Sequence, residues 1–467
     1  MRCVVVGAGI AGLATTLALG RAGHAVTLFE RDADPGPNEP DEAFDLWHRP
    51  GTPQARLAHG FVARSRQVLR ERAADVLAAA LAAGINELDM KVVLPQGTAP
   101  AAGDEDLIAL ASRRGTFELV LRRIVEREPN VAFEVGVVSG ITASNGRPPS
   151  VTGVTVGTRH FLADLVVDAT GRSSRVLDWL RGIQAQSPVE NSAPAAVVYY
   201  GRFYRVRRGE RLPEGRWIYG PRGDAGYMGF IVHRADGDVF SLTFWTPPGD
   251  DDLKALRHEA VLEAAVAAVP LFAPWREVAE PISTPVVYGS ASNRHRRFVK
   301  DGVPLARHFA VVGDSRCHTD PADGLGASVA LVHAFALADA TRRHNNVDDA
   351  VLDYDAETEP LTREVYDSVV DADRVRRLRF AGESGSADDV GWILTQVLPA
   401  AGSRDPEIMR GFLRRASILD LPSRLAGRQD LLERASAIFA QLGQTPRRPV
   451  APPRDEFVAR LRAALPA

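Results

Sequence analysis

The sequence predicts an α/β fold: a Rossmann-like nucleotide-binding domain, an inserted antiparallel β-sheet domain and a helical C-terminal region. Three observations carry this. An apolar run, Val4-Val5-Val6, leads directly into Gly7, Gly9 and Gly12 at Gly-x-Gly-x-x-Gly spacing. From about residue 195 to 284, long β-type runs broken by Gly and Pro replace the alternation of strand and helix. Beyond about residue 346 the pattern is helical, with arginine-rich faces.

The elements follow in order. Gly7 permits a tight turn, Gly9 lets the backbone approach a pyrophosphate, and Gly12 lets the next helix pack on the strand. The helix N-terminus then offers its unpaired N–H groups and positive dipole end to the phosphate. Ala25-Val26-Thr27-Leu28-Phe29 forms the next strand and ends in Glu30, eighteen positions past Gly12. An acidic residue there suits a ribose diol and repels a 2′-phosphate. A Pro-, Gly- and acid-rich loop runs from Asp32 to about Pro53. Phe61, Val62, Val68, Leu69, Val76, Leu77 and Leu81 are spaced for a helix. Residues 85–110 look irregular, and 116–127 return to helical period. Strands are expected over 131–138, 150–156 and 161–168, with Asn145-Gly146 as the turn between the first two.

In the β-rich block the runs are Ala196-Val197-Val198-Tyr199-Tyr200, Tyr227 to Val232, and Val239 to Trp245, interrupted by an Ala-rich helix near 257–268. Trp217 and Trp245 are expected on strands, and the sheet forms one wall of a substrate chamber. Phe309-Ala310-Val311-Val312 then ends in Gly313-Asp314, and a helix follows over about 327–342. The tail has a break at Leu421-Pro422 and a proline-rich stretch over 446–453.

A chain of 467 residues is long enough for two or more sub-domains. Its 45% hydrophobic and 25% charged content is that of an ordinary soluble enzyme. A net charge of −3 gives no electrostatic reason to expect nucleic acid. Cys3 and Cys317 make neither a disulfide framework nor a metal site, so no metal is expected. No apolar run spans a bilayer, and only three residues precede the first strand, so a cytoplasmic protein without a signal peptide is expected.

Three strand-end motifs are placed to meet at one carboxyl edge, where open α/β sheets bind ligands. They are the glycine turn, then Asp168-Ala169-Thr170-Gly171-Arg172-Ser173-Ser174-Arg175, then Gly313-Asp314-Ser315 continuing through Pro321-Ala322-Asp323-Gly324-Leu325-Gly326-Ala327. A ligand touching all three is a dinucleotide. Asp314 can accept from a polyol chain. The Gly324-Leu325-Gly326 turn opens a helix whose N–H groups suit a ring that becomes anionic on reduction, as a flavin does. Glu30 alone fits NAD as well as FAD.

The three motifs in this order resemble the FAD-dependent monooxygenases of the para-hydroxybenzoate hydroxylase fold (group A), and more narrowly their bacterial epoxidase- and halogenase-like members. Further segments are similar: Arg49-Pro50-Gly51-Thr52-Pro53-Gln54-Ala55-Arg56 with His59, and Arg114 with Glu118, although Phe117 stands where that subgroup has leucine. Asn293-Arg294-His295-Arg296-Arg297-Phe298 and Asp405-Pro406-Glu407 also match, so the likeness covers most of residues 1–435.

The resemblance implies that Gly7, Gly9, Ala11 and Gly12 hold the FAD pyrophosphate, with Arg114 paired to it. Glu30 and Arg31 fall at the adenosine ribose. Gly313 and Asp314 fall at the ribityl chain, and Pro321, Gly324, Leu325, Gly326 and Ala327 by the flavin. Asp168 and Gly171 look like the motif these enzymes associate with both FAD and NAD(P)H. Here it reads Asp-Ala-Thr-Gly-Arg-Ser-Ser in place of Ala-Asp-Gly-x-x-Ser, which weakens the nicotinamide assignment. Trp-x-Trp is absent, and none of Lys91, Lys254 and Lys300 sits in a halogenase-like segment, which argues against a halogenase.

The resemblance implies a domain division of 1–84, 105–180 and 300–345 for the FAD-binding domain, 85–104 and 181–299 for the substrate-binding sheet domain, and 346–467 for the helical region. His59, Tyr204, Tyr227, His233 and Trp245 are the candidate substrate residues; packing accounts for His59 equally well, and ordinary core packing is the better expectation for the aromatics. Cys317 raises the idea of a covalent flavin link. His318 and Asp320 are candidates for acid and base. The expected activity is FAD-dependent monooxygenation of a small organic, specialised-metabolite substrate, by hydroxylation or epoxidation, with O2 and transiently bound NAD(P)H. The alternatives are a flavin reductase or dehydrogenase of the geranylgeranyl reductase type, acting on a prenyl or polyketide chain, and a flavoprotein that binds without turnover.

Overall fold

The computed structural model describes residues 1–56, 58–289, 292–386, 389–443 and 450–465. Residues 446–449 of the expected proline-rich stretch, and the side chains of Pro53 and Gln54, lie outside the described residues.

A parallel sheet of five strands forms the centre, in the order Phe309–Val311, Leu165–Asp168, Arg2–Val6, Ala25–Glu30, Val131–Val135. Its central strands are apolar at successive positions because both faces are covered. Cys3 and Val5 join the helices Ile10–Arg21 and Gly326–Arg343 in one core. Val4 and Val6 turn to the other face, against the meander Val138–Ser144, Ser150–Val156, Arg159–Leu162 and against Trp179. In the register, Val6 stands beside both Asp168 and Phe29, and Asp168 beside Val311. The three motif-bearing strands therefore end level at one edge.

Several local expectations change in the tertiary setting. The stretch 161–168 is divided between two sheets at Asp164, whose carboxylate accepts from the Arg2 backbone N–H at 2.7 Å. The helix expected over 61–81 is a strand, Ala58–Phe61, followed by two helices, Ala63–Arg72 and Ala74–Ala82. Residues 85–110 are not wholly irregular. Asn86–Asp89 and Ile108–Arg113 pair antiparallel, and Ala58–Phe61 adds on the far side. These pairings join segments distant in sequence, so local periodicity does not reveal them.

The β-rich block folds as an antiparallel sheet in the order Arg222–Asp224, Gly229–Arg234, Val239–Thr246, Val198–Val206, Ala279–Pro281, with Val286–Gly289 also pairing to Val198–Val206. Its outer face (Tyr200, Tyr204, Phe230, Val232, Phe240, Leu242, Phe244) packs on Glu259–Ala268, Trp275 and the last helix, Arg454–Ala463, through Phe457 and Leu461. Trp217 lies outside any strand, its ring 6.0 Å from that of Trp275.

The tip of the Gly229–Arg234/Val239–Thr246 hairpin docks on the nucleotide-binding side. Gly237 N donates to Gly84 O at 2.7 Å, and Asp236 accepts from Arg113 (backbone N at 2.5 Å, Nε at 3.0 Å). The 34-residue helix Val347–Phe380 runs behind the third motif, where Asp355 and Glu359 pair with buried Arg316 at 2.9 Å each. Among the described residues no helix is long and apolar enough to cross a membrane.

Candidate functional site

A groove follows the carboxyl edge of the parallel sheet. It is lined by Gly7, Gly9 and Ala11, by Glu30, Arg31, Asp32 and Arg49, by Arg114, Gly171 and Arg172, and by Asp314, Gly326 and Ala327. It thus brings together residues from all three motifs. Neither Ile10–Arg21 nor Gly326–Arg343 has a side-chain cap, so the first-turn N–H groups of both helices are open to a ligand.

The remaining motif residues build the walls. Gly12 does not line the groove. A Cβ there would lie 1.7 Å from Gly7 O and 3.3 Å from Ala169 Cβ, so it is the contact point of helix, turn and middle motif. Gly7 itself needs a positive φ (+100°), and Gly313 (φ +58°) brings the third motif within contact of Ala11. Asp168 is fully buried and stays off the groove. Its carboxylate accepts from Thr170 N at 2.9 Å, Thr170 Oγ1 at 2.6 Å and Ser174 Oγ at 2.5 Å, and from Ser315 Oγ at 3.3 Å. Burial raises its pKa. Asp168 therefore ties the middle motif to the third, and Gly171 N, donating to Ser315 Oγ at 2.8 Å, completes the tie. Leu325 is buried with Val62, Val329 and Val369, while Gly324 (φ +67°) lets the loop pass close to Gly60 O. Pro321 starts the turn Pro321–Asp323 on the outside.

At the nucleotide end, Glu30 accepts from Ala8 N at 2.8 Å and from Asp32 N at 3.0 Å. Arg49, nearly enclosed, lies 3.4 Å from Glu30 and from Asp32 and donates to Glu118 at 2.5 Å. Burial works against its charge, but Glu118, Glu30 and Asp32 outweigh that and raise its pKa. Glu118 also accepts from Arg114 Nε at 2.9 Å. The Arg114 guanidinium consequently stands over the glycine turn, 3.6 Å from where a Gly9 Cβ would be, with its Nη1 3.4 Å from His59 Nε2. An open backbone cradle with a positioned arginine above it fits a pyrophosphate. Arg49 and Asp32 are site residues that motif reading missed; Arg-Pro-Gly within the matched segment was the available signal.

At the far end Asp314 faces the groove. Burial opposes its charge, but His318, Arg114 and His59 hold its pKa below the usual carboxylate range. His318 Nδ1 is 3.2 Å from Asp314 Oδ2. Cys317 is buried with its thiol toward Thr362 O at 3.9 Å, and burial pushes its pKa up. A thiol so placed is a poor nucleophile and does not suit covalent attachment.

Of the substrate candidates on this sheet's strands, His233 and Trp245 fall on one face and Tyr204 on the other, as strand alternation requires, while Tyr227 precedes the strand Gly229–Arg234. His233 and Trp245 are on the inner face. His233 stacks on Tyr219 at 4.5 Å and its Nδ1 donates to Arg234 O at 2.9 Å, and burial lowers its pKa to about 4. Tyr204 and Tyr227 turn away: Tyr204 OH donates to Glu263 at 2.6 Å, and Tyr227 OH to Pro452 O at 2.8 Å. None of these four residues lines the groove.

Tyr199, on the inner face, donates to Asp320 Oδ1 at 2.6 Å and so clamps the sheet to the third-motif loop. Asp320 also accepts from Ala322 N at 2.9 Å, while its Oδ2 has no partner among the described residues and Asp373 and Arg376 lie close by. Burial, reinforced by Asp373, pushes the Asp320 pKa up to about 6. Since the folded pKa is raised, the native state holds this proton more tightly than the unfolded chain does between about pH 4 and 6. The resulting stabilisation is present below pH 4 and lost as pH rises through 6. We therefore expect Asp320→Asn to gain stability relative to the native protein as pH increases from 4 to 7, by at most about 3 kcal/mol. Urea unfolding at several pH values reads this. A difference that is flat with pH contradicts it.

Comparison with known proteins agrees with this architecture. Residues 2–147 match the family model described as FAD dependent oxidoreductase. "Protein Rv3254" of Mycobacterium tuberculosis is 27% identical, with 89% of each chain covered. Among solved structures, a triple mutant of the flavin-dependent brominase Bmp2 is similar with a TM-score of 0.60 at 16% identity, covering 95% of this chain and 99% of that one. A Pseudomonas aeruginosa PqsL mutant is similar with a TM-score of 0.61 at 18% identity, covering 82% and 98%. A mutant of 2-methyl-3-hydroxypyridine-5-carboxylic acid oxygenase has a TM-score of 0.56 at 19% identity, covering 81% and 92%. The fold is that of these flavin enzymes.

Proposed function

We propose that this chain, an FAD-dependent oxidoreductase, is a monooxygenase that places one oxygen atom of O2 on a small organic substrate, by hydroxylation or epoxidation, with NAD(P)H as reductant. One observation carries the reading. The inner face of the antiparallel sheet is clamped by Tyr199 and Asp320 to the loop that ends the cofactor groove. On this reading that face is the wall of a substrate compartment against the reacting end of the FAD site.

FAD, when bound, supplies the electron transfer and the oxygen chemistry. The chain supplies the rest. The turn at Gly7–Gly9, the N-terminus of Ile10–Arg21 and Arg114 would hold the pyrophosphate, Glu30 the ribose, and Asp314 the polyol chain. The sheet would shield the reacting edge from water and orient the substrate. We assign no side chain as an obligatory acid or base. No second Gly-x-Gly-x-x-Gly occurs, so the nicotinamide nucleotide would bind transiently on this same surface. The test follows NAD(P)H oxidation with candidate substrates under isotopically labelled O2. Label in the product is the expected result. Substrate turnover without O2, giving a product without added oxygen, would replace this reading with the reductase one.

A further inference from the structure

Gly313 is where the three motifs meet. The residue before it, Val312, closes the parallel ladder by donating its backbone N–H to Asp168 O at 3.0 Å. Gly313 then turns at φ +58°, and a Cβ on it would lie 2.7 Å from Ala11 Cβ, so the turn is wedged against the first helix. That turn takes the Gly313 N–H out of the sheet while leaving it buried. A buried backbone donor without an acceptor is costly, so a side chain has to serve it.

The acceptor is His333 Nδ1, at 3.2 Å. His333 is fully buried within Gly326–Arg343, the helix that opens at the third motif's glycine turn. Its helix neighbours Leu331, Ala334 and Leu337 are ordinary core, so a histidine here is a departure that the Gly313 bond accounts for. A backbone N–H only donates, which makes Nδ1 the unprotonated nitrogen and leaves the proton on Nε2. Nε2 donates to Thr362 Oγ1 at 2.8 Å, and Thr362 Oγ1 donates to Thr358 O at 2.7 Å. Burial, with Arg316 and His295 nearby, holds the imidazole pKa well below the ordinary histidine range, so the ring stays neutral. Tyr354 fixes the ring from the side, edge to face at 5.9 Å, and its own OH donates to Val311 O at 2.8 Å. Ring, threonines and tyrosine thus brace the end of the third strand from behind.

We propose that His333 is a positioning residue for the cofactor: by fixing Gly313 it sets the aim of Asp314 into the groove, from a place outside the groove. Asp314 is the next residue in the chain, and its Oδ1 lies 3.6 Å from where a Gly326 Cβ would be, so a small shift at Gly313 moves the carboxylate along the groove wall. This rests on the FAD reading of Asp314 and is independent of the choice between monooxygenase and reductase.

The test titrates the deflavinated protein with FAD and, separately, with ADP, which carries the nucleotide and pyrophosphate but no polyol chain. His333→Leu is expected to raise the Kd for FAD about ten-fold, the worth of one well-placed hydrogen bond, and to leave that for ADP unchanged. His333→Asn, whose amide oxygen can stand in for Nδ1, should recover part of the loss. Thr362→Val leaves Nε2–H without its acceptor and should weaken FAD in the same selective way, by less. In an Asp314→Ala background, itself weak for FAD, His333→Leu should add little, because both act through one contact. Should the leucine variant not fold, the asparagine and valine variants carry the same comparison of FAD with ADP. FAD affinity unchanged by these substitutions, equal losses for FAD and ADP, or an effect fully additive with Asp314→Ala overturns the proposal. Binding is read without turnover, so the labelled-oxygen result stands or falls separately.

Discussion

Replacing Gly12 by alanine is expected to abolish FAD binding. The added Cβ would sit 1.7 Å from Gly7 O, 2.9 Å from Gly7 C and 3.3 Å from Ala169 Cβ. The first two obstacles are backbone atoms of the turn itself, which has no slack, because Gly7 is held at φ +100° against Ala169 O. The helix Ile10–Arg21 must therefore lift off the turn. Overpacking a tight core contact costs about 1–3 kcal/mol, and more where backbone has to move. Lifting also withdraws the first-turn N–H groups from the phosphate. We expect the Kd for FAD to rise by at least about a hundred-fold, the loss of roughly 3 kcal/mol, and the purified variant to lose the yellow of bound flavin. Gly12→Ala protein that titrates with FAD at native affinity would refute the close packing.

The second large effect lies where sheet and nucleotide-binding side join. Arg113 is fully enclosed, and Asp236 takes hydrogen bonds from its backbone N, Nε and Nη2, and from Thr116 Oγ1 at 3.1 Å. Asp41 also pairs with Arg113, but it is more than half exposed. Asp236→Ala leaves a buried guanidinium with one solvent-screened partner. Breaking a buried pair in this way costs about 3–5 kcal/mol. Asp178→Ala removes only exposed pairs with Arg175 and Arg181 and should cost less than about 0.5 kcal/mol. Urea denaturation of the two variants should separate their first unfolding transitions clearly. Coincident transitions would mean that the hairpin tip carries no such load.

These two sites differ in how visible they are from the chain alone. Gly7, Gly9 and Gly12 follow an apolar strand at a fixed spacing, and their constraint is local: a turn, a close approach and a helix start within ten residues. The level ends of the three motif strands were legible for the same reason, since each is a short buried run followed by its own loop. Arg113 and Asp236 are separated by 123 positions, and nothing in either neighbourhood announces the other. Asp168 shows a subtler limit. Its place at a strand end is local information, but Ser315, which helps bury its carboxylate, is 147 residues away.

By itself the sequence determined the parallel sheet, the glycine turn with its acidic neighbour Glu30, and the presence of an antiparallel sheet, because strand and turn propensities act over a few residues. Only the tertiary structure decided which face of that sheet serves the site. A period of two states that Tyr199 and Tyr204, five apart on one strand, must point in opposite directions; it does not say which direction holds the core. The helices Glu259–Ala268 and Arg454–Ala463 settle that by burying Tyr204. Trp245 and Tyr199 are thereby left on the opposite face, from which Tyr199 reaches Asp320 in the third-motif loop.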